Sequence, residues 1–498
     1  MAFFLLLVPV LVSLVYVLLR LLDTWGHNPQ EPPLVRNSVP FIGPILKMMR
    51  YKTRREHGYD VYTLRVLGSR IYVVNSISLV SAVQKHYRTI NWAPYMGHAI
   101  SWITGTNKST NDMMAEDMIS DKGFCFGIKK STFAALSPGP YLDALNTSAI
   151  RQFADQIDVI AGESTRQISL FPWVRHQILV ATTDAIYGPH NPFRCHSVRE
   201  AWDFYHPGIP NLGPKALPDF LTSKSIKARE HVVNALVEFF EAGYHHKSSE
   251  LLMARYNCIV NDHNVKDLSE LARLELAGAF ASIENTVPTT FWFIYRIFSD
   301  PIVLQDCKAE LLPLVRVRNG VCHVDVDDIK DSCPIFQSTL HETIRYHSVT
   351  ISARKVTEDC MLDKYLLKQG STLLISATVP HFDKHTWGAD VGKFNHTRFS
   401  EGTSRTTNKG VKRTAFRGFG GGFHLCPGRH FSVTEMLSLA AMMILRFDLT
   451  PVDGTWETLK DGKGFSRGTA ALIPHNDFPV TFQSTNSNKW KFFVSGTG

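Results

Sequence analysis

The sequence predicts a mainly α-helical fold with a small β-sheet region, preceded by a single N-terminal transmembrane helix. Three observations carry this reading. Ala2 to Leu19 is a run of eighteen uncharged residues. Most of the chain to about residue 346 has helical text. Short strand-like segments stand near both ends of what remains.

The apolar run continues past Arg20 through Leu21 and Leu22, and at 1.5 Å per residue it reaches roughly 27 to 31 Å, about one hydrocarbon core. A cleaved signal peptide is the competing reading, but no Lys or Arg precedes the run and no small-residue cleavage site follows it. The nearby cations Arg20, Arg36, Lys47, Arg50, Lys52, Arg54 and Arg55 all lie C-terminal of it. Residues 1–22 are therefore expected to anchor the chain, with the bulk facing the cytosol. Pro29, Pro32, Pro33, Pro40 and Pro44 follow, and their fixed φ predicts a stiff spacer over residues 23–50. Residues 51–498 are expected to form one catalytic domain, since no repeat or linker divides them.

Val61 to Val66 and Arg70 to Val74 flank Leu67-Gly68-Ser69 and predict a hairpin. A long helix is predicted from about Asp267 to Phe298, with Asp267 and Glu270 at capping-box spacing. Val356 to Ser376 around Gln369-Gly370, and residues 448–482, again carry strand signals. One small sheet made from both ends of the chain is the expected result.

With 498 residues, 44% hydrophobic and 20% charged, the chain has ample material for a large core, and its 32 Gly and 25 Pro show no period. Disordered, collagen-like and disulfide-scaffold classes are excluded. A net charge of +8, dispersed along the chain, gives no argument for nucleic acid. The eight cysteines include no C-x-x-C pair and read as reduced thiols. The sequons at Asn107, Asn146 and Asn395 would then stay unglycosylated on the cytosolic side.

One cysteine has informative neighbours. Phe419-Gly-Gly-Gly-Phe-His-Leu-Cys-Pro-Gly-Arg-His-Phe431 places three glycines, which permit positive φ and close approach to a flat ligand, before Cys426. Amphipathic text follows Gly428, so the thiol stands just before a helix N-terminus, where N–H groups and the dipole favour a thiolate. A zinc site using His424, Cys426 and His430 lacks a local fourth ligand, and a structural thiol in a glycine turn needs nothing further.

Phe419, Gly422, Cys426 and Gly428 fill an F-x-x-G-x-x-x-C-x-G pattern that resembles the haem-binding loop of the cytochrome P-450 family. Glu342 and Arg345 resemble its E-x-x-R pair, and Phe394-Asn-His-Thr-Arg-Phe399 its F-x-P-x-R-F segment, with His396 in place of proline. The resemblance implies a buried ion network of Glu342, Arg345 and Arg398. It also implies an oxygen-binding notch in the long helix, at Ala281-Ser-Ile-Glu-Asn-Thr-Val-Pro288, where Ser282 and Asn285 replace the usual glycine and threonine. Pro288 has no N–H for the carbonyl of Glu284, so the helix is expected to bend or open there. Asn285-Thr286, Pro288, Phe291-Trp292 and Phe465 to Pro474 are similar to the branch holding sterol 7α- and 12α-hydroxylases and prostacyclin synthase.

What this implies is a haem-thiolate monooxygenase of fungal secondary metabolism. Haem b (iron-protoporphyrin) would be ligated through its iron by Cys426, and Glu284, Asn285 and Thr286 would be the catalytic residues. Phe419, Gly422, His424, Gly428 and Arg354 would bind the cofactor, Arg354 and His424 facing its carboxylates, because no W-x-x-x-R helix is evident between residues 90 and 265. NADPH-derived electrons would come through NADPH-cytochrome P-450 reductase at the endoplasmic reticulum membrane, and the substrate would be lipophilic and polycyclic: terpenoid, meroterpenoid or steroid-like. Rival readings are a haem-thiolate isomerase or dehydratase acting on a bound peroxide, and a non-catalytic haem-binding protein. Gly402 to Thr434 holds no Asp or Glu, and its Arg405, Lys409, Lys412, Arg413, Arg417 and Arg429 would form a docking run for an acidic flavin domain, which favours the monooxygenase.

Overall fold

The computed structural model describes residues 2–43, 58–116, 120, 122–162, 165–209, 212, 219–400, 414–456, 469–474 and 478–495, the side chains of 2–9, 208 and 219–221 excepted. Two units divide the chain. One comprises Met1–Tyr95, Val349–Gly392 and Asn408–Leu425, and the other Met96–Ser348, Lys393–Thr407 and Cys426–Gly498.

The first unit opens with helix α1 (Ala2–Thr24). Leu11, Leu14 and Leu21 on it are exposed, yet among the described residues no helix is long and apolar enough to cross a membrane. The expected hairpin forms from β1 (Val61–Val66) and β2 (Ser69–Val74), and Gly68 takes φ +71°, which a side chain would strain. Helix α2 (Ile77–Lys85) follows, then strands β3 (Ile90–Asn91), β4 (Ile351–Val356) and β5 (Thr372–Ser376). The sheet order is β1-β2-β5-β4-β3, with β5 parallel to β2. Apolar side chains of both strands and helix make its core: Val61, Tyr72, Val74, Val80, Val83, Val356, Leu373 and Ile375 cluster, each burial contributing about 1.5–3 kcal/mol for a Val, Leu or Ile. Part of the expected spacer joins this sheet. Thr63 donates its N–H to the Pro33 carbonyl at 2.8 Å and accepts from Val35 at 3.0 Å, while buried Glu31 accepts from the Tyr72 hydroxyl at 2.8 Å. Residues 44–57, which include Pro44 and the cations Lys47 to Arg55, lie outside the described residues.

The second unit is mainly helical: α3 (Pro140–Ala161), α4 (Leu170–Tyr187), α5 (His196–Gly208), α6 (Leu268–Ile283), α7 (Thr286–Phe298), α8 (Pro334–His347) and α9 (Arg429–Arg446) position the residues discussed below. Helix α9 is buried from Thr434 to Arg446 and packs on α3 and α7. The long helix expected from Asp267 to Phe298 is two, because its hydrogen-bond ladder is interrupted at Glu284 and Asn285. Its start is also a half-formed capping box. Asp267 Oδ1 accepts from the Ser269 N–H at 2.8 Å, but Glu270 turns away to accept from the Asn107 N–H at 3.0 Å.

Further strands make small sheets of their own. Phe447–Pro451, Pro479–Ser484 and Thr165–Ser169 pair antiparallel, and Lys489–Phe493 runs parallel to Val321–Asp325. The single sheet expected from the two chain ends does not form: the hairpin shares a sheet with Ile351–Val356 and Thr372–Ser376, the strands after residue 446 lie in others, and the described residues make four sheets. No disulfide joins the eight cysteines.

Candidate active site

In the second unit Cys426 precedes α9, whose cap is Gly428 at φ −80°. The N–H groups of Gly428 and Arg429 reach the sulfur, and the Arg429 guanidinium donates to the Cys426 carbonyl at 3.1 Å. Burial pushes the thiol up. The Gly428 N–H and the charges of Arg429 and Lys129 pull it down but do not prevail, so the helix terminus that the sequence offered as a thiolate stabiliser is outweighed by desolvation. Gly428 does not need glycine for its φ; a Cβ there would stand 4.0 Å from Sγ, on the sulfur's own side. Among the described residues no group of three or more His, Cys, Asp or Glu side chains converges as a metal site, which removes support from the zinc reading.

The first unit holds the glycine turn. Gly420 and Gly422 have φ +76° and +60°. At Gly421 a Cβ would lie 2.2 Å from Arg417 Nη1 and 2.7 Å from Gln84 Nε2. Only the absence of a side chain leaves that cradle open. Phe419 is half-buried, Phe423 stacks on Tyr87 at 4.6 Å, and the His424 ring lies 5.3 Å from Trp92. Arg354, on β4, is 1% exposed, and its Nε and Nη1 have no hydrogen-bond partner among the described residues. Burial, with the charge of Arg417 beside it, brings Arg354 down to about 10. A buried guanidinium with two nitrogens lacking partners among the described residues, next to a second buried cation, is a place for an anionic ligand. The carboxylates of a haem fit such an arginine; taken by itself, the Cys426 thiol is of a ligand type that fits haem iron. Arg417 itself is 6% exposed and so is no part of a docking surface, against the sequence reading of the basic run. Arg405, Lys409, Lys412 and Arg413 lie outside the described residues.

At the α6–α7 break the polar groups sort themselves. Pro288 leaves the Glu284 carbonyl without its helical donor, and the hydroxyls of Thr289 and Thr290 donate to the carbonyls of Asn285 and Thr286, both at 2.7 Å. Glu284, 5% exposed, places Oε1 2.5 Å from Nε2 of His206 on α5. Asn285 Oδ1 accepts from the Ala470 N–H at 2.7 Å, which commits its oxygen and leaves its amide N–H groups as what it can offer a ligand. Thr286, expected beside them, turns its hydroxyl to the Ser282 carbonyl at 3.4 Å and is buried. His206 was not evident in the sequence: no motif surrounds it, and its partner is far along the chain.

The ion network expected on the haem side is present. Glu342, fully buried, accepts from Arg345 Nε and Nη2 at 2.7 and 2.8 Å, from Arg398 Nε at 3.0 Å and from the Asn395 N–H at 3.0 Å. His396, which replaces a proline, has a partner of its own, Asp306 at 2.8 Å.

Against known proteins, the family model described as Cytochrome P450 matches residues 214–473. The chain is 31% identical to the Cytochrome P450 monooxygenase nodJ of Hypoxylon pulicicidum, over 98% of either chain. It is 24% identical to Cytochrome P450 7B1 of Mus musculus, over 93% of this chain and 92% of the other. Among solved structures, retinoic acid bound cyanobacterial CYP120A1 has a TM-score of 0.70 at 17% identity, covering 92% of this chain and all of that one.

Proposed function

The chain belongs to the cytochrome P450 family of haem-dependent monooxygenases, whose electrons come from NAD(P)H through a reductase, and from that premise we propose a membrane-anchored enzyme of fungal secondary metabolism that oxidises a lipophilic, polycyclic substrate of terpenoid, meroterpenoid or steroid-like class. NADPH-cytochrome P450 reductase is the proposed partner. The proposed location is the endoplasmic reticulum membrane, with residues 1–22 as the anchor and the globule in the cytosol. The uncharged run from Ala2 to Leu19 and the exposed leucines of α1 support the anchor.

Bound haem supplies a reducible iron at which O₂ is activated. Cys426 is the proposed ligand of that iron. Arg354 and His424 are the proposed partners of the cofactor's carboxylates, and Phe419, Gly422 and Gly428 shape the loop that receives it. Glu284 holds its carboxylate within the protein, 5% exposed, where a proton can be held and passed from Oε1. Asn285 orients water or substrate through its remaining N–H groups. Thr286 is the third proposed catalytic residue, its hydroxyl donating to the Ser282 carbonyl at 3.4 Å. Phe291 and Phe293, both fully buried, keep water out of the helix that follows.

The observation that carries this reading is the break at Glu284 and Asn285, a polar notch between two helices whose buried side chains are mostly apolar. Microsomes holding the protein and a flavin reductase, supplied with NADPH, O₂ and a panel of terpenoid and steroid-like compounds, test it. A compound-dependent mass gain of one oxygen is expected. Product formed at full rate with NADPH and reductase omitted would overturn it in favour of an isomerase.

A further inference from the structure

We propose that His206 is a positioning residue for the oxygen chemistry: it fixes the Glu284 carboxylate at the α6–α7 break, and so decides whether O₂ leaves as water or as peroxide. The proposal rests on the monooxygenase reading, but its geometric half stands apart from it.

The contact is close and largely buried. His206 Nε2 lies 2.5 Å from Glu284 Oε1, with the two side chains 11% and 6% exposed. A carboxylate only accepts, so the imidazole donates. The same ring stands 6.1 Å from that of Phe280, which precedes Glu284 by four residues and shares its helix face. One imidazole therefore touches two successive turns at the end of α6, where the ladder stops and the backbone is least restrained. The histidine is itself held. Pro207 restricts the backbone of the residue before it, and the fully buried Tyr205 donates its hydroxyl to the Ile103 carbonyl. Without His206, a carboxyl buried to this degree has no ion-pair partner among the described residues, and its rotamer is released.

The chemistry can be read without knowing the substrate. Reductase and NADPH reduce O₂ by two electrons and two protons to peroxide, or by four of each to two waters, and the second route needs protons delivered before peroxide escapes. His206→Phe keeps the ring beside Phe280 and removes the donor; His206→Gln restores a donor at a similar reach. The full-length protein with its reductase, without added substrate, is assayed for peroxide formed per NADPH. Hydrogen exchange of the peptide from Phe280 to Thr290 is followed on the resting protein. Retained reduced-carbon-monoxide spectra identify folded variants.

His206→Phe is expected to raise the ratio of peroxide to water about tenfold and to speed exchange at the break, and His206→Gln to return both to within about twofold. In a Glu284→Gln background His206→Phe should change the ratio no further, since the histidine acts through the carboxylate. Equal effects of His206→Phe with and without Glu284, or an unchanged exchange rate, would overturn the proposal. If no variant, wild type included, consumes NADPH, the monooxygenase reading fails, and the exchange data still decide whether His206 holds the break.

Discussion

Replacing Glu435 by glutamine should remove a pH dependence built into the helix that starts beside Cys426. Glu435 is 1% exposed on α9; its Oε1 accepts from the Thr182 hydroxyl at 2.6 Å, and its Oε2 has no partner among the described residues. Burial pushes the carboxyl from 4.5 up to about 8, with the Thr182 bond opposing. Between those values the folded protein keeps a proton that the unfolded chain has released. The folded state therefore binds more protons, and stability is fully present below the unfolded value and is lost as pH rises through the folded one. At about 1.4 kcal/mol per pH unit, the loss from pH 5 to 7.5 is about 3 kcal/mol. For 498 residues, with an unfolding entropy of about 2 cal/mol/K per residue, that corresponds to about 3 °C in Tm. Glutamine keeps the acceptor for Thr182 and cannot ionise. Apparent Tm measured at one scan rate for both proteins should therefore diverge: wild type should lose about 3 °C more than Glu435→Gln across that range. Parallel curves would mean that Glu435 is ionised in the fold and that a cation or water serves its second oxygen.

Three other outcomes follow from the same geometry. Cys426→Ser should abolish the long-wavelength Soret band of carbon-monoxide-bound, thiolate-ligated ferrous haem, while Cys333→Ser, which alters a buried thiol that donates to the Glu310 carbonyl, should keep it; absorption spectra decide. Glu342→Ala leaves Arg345 and Arg398 buried and unpaired and should cost about 3–5 kcal/mol, seen as a lowered unfolding midpoint and poor haem loading. Deleting residues 1–22 should move much of the protein out of the membrane fraction without loss of haem, measured by spectra of the soluble fraction.

Some of this was legible in local text. Gly68 sits at a positive φ between two strands because a two-residue turn demands it, and Leu67-Gly68-Ser69 announces that demand. Pro288 lacks a donor wherever it stands, so the interruption at Glu284 could be read from one residue. Glu342, Arg345 and Arg398 were readable through resemblance alone; the pair at i and i+3 says nothing about burial. What stayed hidden depends on distance along the chain. Asn285 meets Ala470, and Glu284 meets His206, through the packing of elements whose partners no periodicity names. For the same reason the chain-end strands were visible as strands, while their division among separate sheets was not.

The clearest case is Arg417. Charge counting places it with its basic neighbours, and a run without acids reads as a solvated, docking surface. Burial reverses the meaning of the same charge: at 6% exposure, beside an Arg354 that lacks partners for two of its nitrogens, it raises the local demand for an anion instead of offering a partner a long-range field. The glycine at 421 records that demand in covalent form, since any Cβ there would occupy the space that Arg417 Nη1 uses. The glycine run therefore serves two ends. It lets the chain turn at positive φ, and at Gly421 it lets a buried guanidinium approach the backbone closely.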